Sequence, residues 1–342
     1  LIKLNDFLIL QTDPEEISYL NSIKTEILVD QTIPLLIGGL IIFVYSIFQL
    51  SEVMKDAFSE PAKEFVKKST SNIFIAILVG TIITILLDSS SAVIIMTIVF
   101  VNAKLLSFRQ TMGIVMGANI GTTISSQIIA LNVGKYSIIP LLIGLILLFS
   151  SKKENPKQIG NILFFFGLLF FGLFIMENSV VPLAESEVFE QWIAKLENPI
   201  HGALIGGLVT LIIQSSSATI GIAITLGKQD LIGIAGGIAV MLGAELGTCS
   251  DTLIATIRGS RDAIKTGLFH LFYSLVTTVV GLLFFHPFVA FIKEISLGQS
   301  IEHHIANAHV IFNILGVIIF LPFVSLIEMS MNRLIPPKKV VV

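Results

Sequence analysis

Residues from about position 80 to position 123 recur 126 positions later without a gap. Ser89-Ser90-Ser91 is answered by Ser215-Ser216-Ser217, Gly80 by Gly206, Thr84 by Thr210, Ala92 by Ala218, Ile94 by Ile220 and Leu105 by Leu231. The run Gly117-Ala118-Asn119-Ile120-Gly121-Thr122-Thr123 returns as Gly243-Ala244-Glu245-Leu246-Gly247-Thr248-Cys249. Shared hydrophobicity does not produce an ungapped register with matching serines, glycines and threonines. The chain therefore builds one supersecondary unit twice, the construction expected of secondary transporters.

Both copies are embedded in apolar sequence. Of 342 residues, 54% are hydrophobic and 13% charged, against about 25% charged in a soluble domain. Long continuous runs such as 33–50, 137–149 and 159–176 point to an all-α integral membrane protein and not to a barrel, whose strands alternate. In that setting Asp88 with Ser89–Ser91, and Gln214 with Ser215–Ser217, are costly unless they face water, protein or a ligand. The cost is borne twice at equivalent places, which predicts a paired binding site. One cysteine, Cys249, excludes an intrachain disulfide.

Counting apolar segments gives a full span at 33–50, a helical hairpin at 72–103 that turns at 88–91, spans near 109–131, 136–150 and 158–181, and a second hairpin at 198–227. Spans at about 264–290 and 305–329 complete the chain. Each hairpin leg has roughly 10–16 residues, short of the ~20 needed to cross, so both hairpins are expected to be re-entrant. Three crossings between them place the hairpins on opposite faces: two inverted-topology repeats, each with a re-entrant hairpin and a helix broken at its glycine-rich run. On that topology Lys3, Lys24, Lys135, Lys195, Lys228 and Lys293 fall on one side and the other fifteen of 21 lysines and arginines on the opposite side. The positive-inside rule then puts the C-terminus in the cytoplasm and the N-terminus outside. The expected division is an extramembrane segment at 1–30, a first repeat at 31–150, a second at 151–290, and a final span with a solvated cytoplasmic tail at 291–342. Residues 1–30 are acidic and lack the small-residue cleavage site of a signal peptide.

A hairpin tip exposes the first N–H groups of its second leg, a partial positive end, and serine hydroxyls there can donate to an oxyanion. Gly117, Gly121, Gly243 and Gly247 permit helix breaks and close backbone approach. Freed carbonyls, threonine hydroxyls and the side chains of Asn119 or Glu245 then offer hard oxygen ligands for sodium. Plainer readings exist for each feature. Asp88 or a following serine can cap the second leg, and glycines four apart can serve close helix packing. His270 and His309 are expected as buried neutral imidazoles bonded to backbone. The phenylalanines at 164–166 and 170–171 are expected as lipid-facing or core bulk, and Trp192 as an interfacial anchor. Neither triplet has a sequence-local histidine, and no Gly-x-Ser-x-Gly elbow occurs, which speaks against an enzyme.

At these residues the chain resembles the type II sodium–phosphate cotransporter family, in particular its bacterial branch. The resemblance rests on Gln214–Ser217 and Gly117–Thr123, and on Ala308-His309-Val310-Ile311-Phe312-Asn313, with His270–Ser274 as a degraded second copy. It covers roughly residues 30–325. It implies uptake of inorganic phosphate driven by sodium as the coupling ion, through alternating access in a bacterial plasma membrane, without other cofactors or a nucleic-acid partner. By family analogy a homodimer is plausible. Ser89, Ser90, Ser215, Ser216, Gln214, Asn119 and Thr122 would contact phosphate. Asp88, Ser91, Thr123, Ser217, Glu245, Thr248 and Gln214 would serve sodium. Asp88 stands where the family has glutamine and Glu245 where it has asparagine. A carboxylate beside an anion needs a proton or a cation, so these two are expected to hold a cation, altering sodium stoichiometry or admitting proton coupling. The alternatives are a sodium- or proton-coupled carrier of another oxyanion or organic acid, a phosphate sensor without net transport, and an intramembrane hydrolase.

Overall fold

The computed structural model describes residues 32–57, 72–131, 133–150, 153–180, 191, 193–257 and 259–336. The 1–30 segment, Trp192 and the tail from 337 lie outside the described residues. So do Lys3, Lys24, Lys63, Lys67, Lys68, Lys152, Arg258, Lys338 and Lys339 of the charge count.

Among the described residues the chain is all helix, without a strand. Helix α1 spans Thr32–Ala57. The first hairpin is α2 (Ile73–Leu87) and α3 (Ser90–Asn102), followed by α4 (Phe108–Ala130), α5 (Ile138–Ser150) and α6 (Glu154–Val180). The second hairpin is α7 (Pro199–Ile213) and α8 (Ser216–Lys228), followed by α9 (Ile234–Gly247) and α10 (Cys249–Ala255). Helices α11 (Arg261–Leu283), α12 (Phe285–Ile295), α13 (Ile301–Phe320) and α14 (Val324–Leu334) close the chain. Five helical segments among the described residues are long and apolar enough to cross a membrane, or six if the bent pair formed by α4 and Gly134–Ser150 is one span. Large apolar side chains such as Leu35, Ile41, Phe74, Leu204 and Ile318 lie more than half exposed, as lipid-facing surfaces require. The protein is a multi-pass helical membrane protein.

The 126-residue offset holds in backbone detail. Four non-glycine residues among those described have positive φ: Asp88 (50°), Lys104 (57°), Gln214 (58°) and Asp230 (54°). They form two pairs at the offset, marking the tip and the exit of each hairpin. Each hairpin also starts alike. Asn72 accepts from the N–H of Ile75 at 2.9 Å, and Asn198 accepts from those of Ile200 and His201 at 3.1 Å, as N-caps. The long helix after the first hairpin starts with a capping box of Ser107 and Gln110. Its equivalent begins at Gly233, which has no side chain to cap with. Glu197 reaches in instead, accepting from the N–H groups of Gly233 at 2.8 Å and Gly236 at 3.2 Å.

A 15-residue leg rises about 22 Å, well short of an apolar core of about 30 Å. Each first leg packs lengthwise on the helix that follows its hairpin, and glycines set the distance. A Cβ on Gly80 would lie 2.3 Å from the carbonyl oxygen of Ile114, and one on Gly206 2.1 Å from that of Val240. From the other side, a Cβ on Gly117 would lie 1.9 Å from the Ile77 carbonyl oxygen and one on Gly243 1.8 Å from that of Ala203.

This packing corrects the expected break in the first half, while in the second the helix is interrupted inside its glycine-rich run, as expected. Helix α4 runs unbroken from Phe108 to Ala130 through the whole glycine-rich run. In the second half the interruption is confined to Thr248, between α9 and α10, within a single candidate span of Ile234–Ala255. Close packing claims these glycines, so they are not spent on unwinding. The sharp bend lies later: α4 and the segment Gly134–Ser150 meet at 79°. With 13 residues, α5 is too short to cross alone, and Gly144 seats it against the backbone of Phe164 in α6. The span expected at 264–290 is two helices parted at Phe284, and that at 305–329 is interrupted by a 3-10 turn at Leu321–Phe323 containing Pro322. Phe170 is buried and Phe165 and Phe166 pack on the main core, so part of the phenylalanine cluster is core.

Candidate functional site

Each hairpin tip is built from a left-handed residue and a capping serine. Leu87 and Ile213 end the first legs, and Asp88 and Gln214 turn the chain in the αL conformation. Ser89 and Ser215 then cap the second legs, accepting at 3.2 Å from the N–H groups of Ala92 and Ala218. The plainer expectation is thus half met. A serine is the cap, while Asp88 is the turning residue and its carboxylate is left for another task.

Both tips line one cavity of about 260 Å³, which takes in Asp88, Ser89, Ser90, Ser91, Gln214, Ser215, Ser216 and Ser217. The equivalent threonines, Thr122 and Thr248, complete its floor. Their hydroxyls donate at 3.0 Å to the carbonyls of Ala118 and Glu245, so what they turn outward is oxygen lone pairs. The capping serines are the reverse: their oxygens accept from the helix and their O–H groups are free to donate.

The structure adds residues that the repeat did not single out. Ser125 donates a hydrogen bond to the Asp88 carboxylate. Asp251, which follows Ser125 by the same 126 positions, lines the cavity together with Ser91 of the first hairpin. The two halves have exchanged roles: the acid sits on the hairpin tip in one and on the following helix in the other. Helix α1 supplies the remaining wall with Ile47, Phe48, Ser51, Glu52 and Lys55, and the Ser51 hydroxyl donates to the Asp88 carbonyl at 3.0 Å. Lys55 is the basic residue among them, brought there because α1, outside the repeated motifs, folds against the first tip. An apolar cavity of about 190 Å³ adjoins and shares Ile47, Asp88 and Ser217 as walls.

Three candidates are not at this cavity. Asn119 is buried elsewhere, its amide nitrogen without a hydrogen-bond partner. Thr123 is buried and spends its hydroxyl on the Ile120 carbonyl at 2.8 Å. Glu245 pairs with His309, Oε1 to Nε2, at 2.7 Å. The cause is helical geometry. At about 100° per residue, Asn119 and Ser126 share a stripe, whereas Thr122 and Ser125 lie farther round, toward the cavity. Glu245 occupies the buried stripe in the second half.

His309 also corrects an expectation. Its partners are side chains from both halves: Nδ1 bonds Ser126 at 2.7 Å while Nε2 meets Glu245. His270 bonds the Thr252 hydroxyl at 2.8 Å, and Ser126 and Thr252 are again 126 apart. His309 is thus a brace between the two halves, and His270 ties α11 to α10. Serine, histidine and glutamate in line resemble a hydrolase triad, but Ser126 is 1% exposed and His309 0%, and neither lines the serine cavity.

The Na+/Pi-cotransporter family profile matches twice, over residues 42–178 and 179–321. The chain is 30% identical over 264 residues to "Uncharacterized protein YqeW" of Bacillus subtilis, covering 77% of this chain and 85% of that protein. It is 26% identical over 262 residues to the Salmonella typhimurium protein named "Putative inorganic phosphate export protein YjbB", covering 76% of this chain and 48% of the relative. Over 99 residues it is 36% identical to human "Sodium-dependent phosphate transport protein 2B", 28% of this chain and 14% of that one. The chain thus spans most of YqeW and about half of YjbB. No solved structure matches it. Two profile matches in tandem, over a structure whose hairpin tips, caps and glycine contacts repeat at one offset, place the chain in the Na+/Pi-cotransporter family.

Proposed function

We propose that the protein is a sodium-coupled phosphate symporter that holds its anion between the two serine tips. The observation that carries this reading is the convergence of both triplets on one cavity with Thr122 and Thr248. Free O–H groups of Ser89 and Ser215, the hydroxyls of Ser90 and Ser216, the Gln214 amide and the N-termini of α3 and α8 supply donors to an oxyanion. Asp88 and Asp251, with the lone pairs of Ser91, Ser217, Thr122 and Thr248, supply hard oxygens for sodium. A phosphate anion does not share a small cavity with two carboxylates unless cations accompany it, so the arrangement itself favours co-binding. Thr122 moves in this reading from the phosphate to the sodium side, because its proton is already committed. Asn119, Thr123 and Glu245 act in neither.

The lysine and arginine bias places the end of α1 in the cytoplasm, and the cavity meets solvent there at Glu52, 63% exposed at its side chain. The reading is therefore an inward-facing state of an inverted-repeat carrier. Direction follows from gradients: a sodium symporter in a cell with an inward sodium gradient imports. The export in the name of YjbB supports a second reading, efflux without that coupling. Proteoliposomes separate them. Labelled phosphate is expected to accumulate when sodium is high outside, and to be competed by arsenate. Accumulation indifferent to sodium would sink the symport reading, and binding without accumulation would favour a sensor. Replacing Ser89, Ser90, Ser215 or Ser216 singly by Ala is expected to weaken phosphate affinity about fivefold to tenfold each, for loss of one hydrogen bond. A hydrolase would instead lose all activity at one serine.

A further inference from the structure

Beyond the serine tips, the cavity has a third wall, α1, whose Ile47, Ser51 and Lys55 succeed one another at helical spacing on the cavity side. Lys55 is the one cationic side chain among the described residues that line the cavity, where Asp88, Asp251 and Glu52 are the anionic ones. Its ammonium meets Glu52 at 2.6 Å. That pair is a poor final resting place. Glu52 is 63% exposed and Lys55 33%, so water screens their attraction and the bond exchanges at little cost. Ser51, one turn before Lys55, is tied to the carbonyl of Asp88, which holds this stretch of α1 against the anion-binding tip. A flexible four-carbon stem carrying a point charge suits transfer from one acceptor to another.

We propose that Lys55 is an anion-positioning residue: it leaves Glu52 for the oxyanion entering or leaving at the α1 side, and Glu52 competes for it. This deepens the phosphate reading and rests on it. The acidic cavity otherwise opposes the approach of an anion, and a single mobile cation at the mouth lowers that barrier and sets the direction of approach.

The test is equilibrium binding of inorganic phosphate to the purified full chain in detergent. Sodium is held constant, and ionic strength is varied with choline chloride. Lys55→Gln is expected to weaken binding about twofold to fivefold, the scale of a partly exposed charge contact, and to flatten the dependence on ionic strength. Lys55→Arg is expected to restore most of the affinity, and Glu52→Gln to bind more tightly than wild type by freeing Lys55. A purely structural role predicts lower melting temperature with an unchanged salt dependence, so both are recorded for every variant. Wild-type affinity and salt dependence in Lys55→Gln, together with no gain in Glu52→Gln, would overturn the proposal. Ser215→Ala is the control for the underlying reading. If it loses affinity while Lys55→Gln does not, only the role of Lys55 fails; if wild type binds no phosphate, both fail.

Discussion

Alanine at Gly117 or Gly243 is expected to cost this protein its fold. The added Cβ would fall 1.9 Å from the Ile77 carbonyl oxygen in one half and 1.8 Å from that of Ala203 in the other. Neither obstacle is a side chain that can rotate away. Each belongs to the backbone of a hairpin's first leg, so relief requires that whole leg to move off its helix. Inserting one methyl into a tight core typically costs 1–3 kcal/mol, and a clash with fixed backbone belongs at or above the top of that range. Because the tip is held by that leg, displacement also opens the cavity from the Asp88 or Gln214 side. Purified Gly117→Ala and Gly243→Ala are expected to melt far below wild type, or to fail to purify as a single species, by similar margins in the two halves. Gly38, where a Cβ would meet nothing within 4 Å, is the control. Gly38→Ala is expected to be neutral or stabilising by up to ~1 kcal/mol through helix propensity. Equal melting temperatures for Gly117→Ala and Gly38→Ala would show that the leg does not sit where the structure puts it.

Removing His309 is expected to be nearly as damaging, for an electrostatic reason. His309 is 0% exposed and Glu245 6%, and the imidazole gives Glu245 the one side-chain hydrogen bond described for it, at 2.7 Å. Truncation strands an acidic group in the core, and breaking a buried pair by deleting one partner costs about 3–5 kcal/mol. His309→Ala is expected to fall at that level. Glu245→Gln, which keeps a hydrogen-bonding group and gives up the acid, is expected to stay within about 1 kcal/mol of wild type. The double variant is expected to recover part of the loss, since two partners removed together leave less unsatisfied than one alone. A His309→Ala protein that melts with wild type would mean that water or another donor reaches Glu245. The same experiment tests the cross-brace. His309 joins Ser126 of the first half to Glu245 of the second, so its loss should also slow transport in whatever protein still folds, whereas Glu245→Gln should transport.

How much of this was legible beforehand depends on what repetition can say. Two serine triplets at one offset pointed to two equivalent hairpins, and the structure returns them as tips with the same left-handed turn and the same cap. Composition required the apolar exterior. The glycine runs were legible as special but not as to purpose: a small residue permits both a broken helix and a close contact. Only the position of the leg lying across α4 decides for contact. Ser125 was hidden for a different reason. It answers Asp251 at the repeat offset, and a serine against an aspartate does not match, so a search for identity passes over the pair. Lys55 was hidden because α1 stands outside the repeated motifs.

The sequence by itself therefore determined a helical membrane protein made of two copies of one unit, each with a serine tip, because hydropathy and repetition are properties of residue order. The tertiary structure alone decided which oxygens share the cavity. Asn119 and Glu245 turned inward to the helix contacts; Ser51 and Asp251, 200 positions apart in the chain, came in to line it. That choice rests on helix rotation and on the angle at which neighbouring elements cross. In a 3.6-residue helix a step of three positions moves a side chain by about 60°, enough to carry it out of a cavity that the sequence motif appears to place it in.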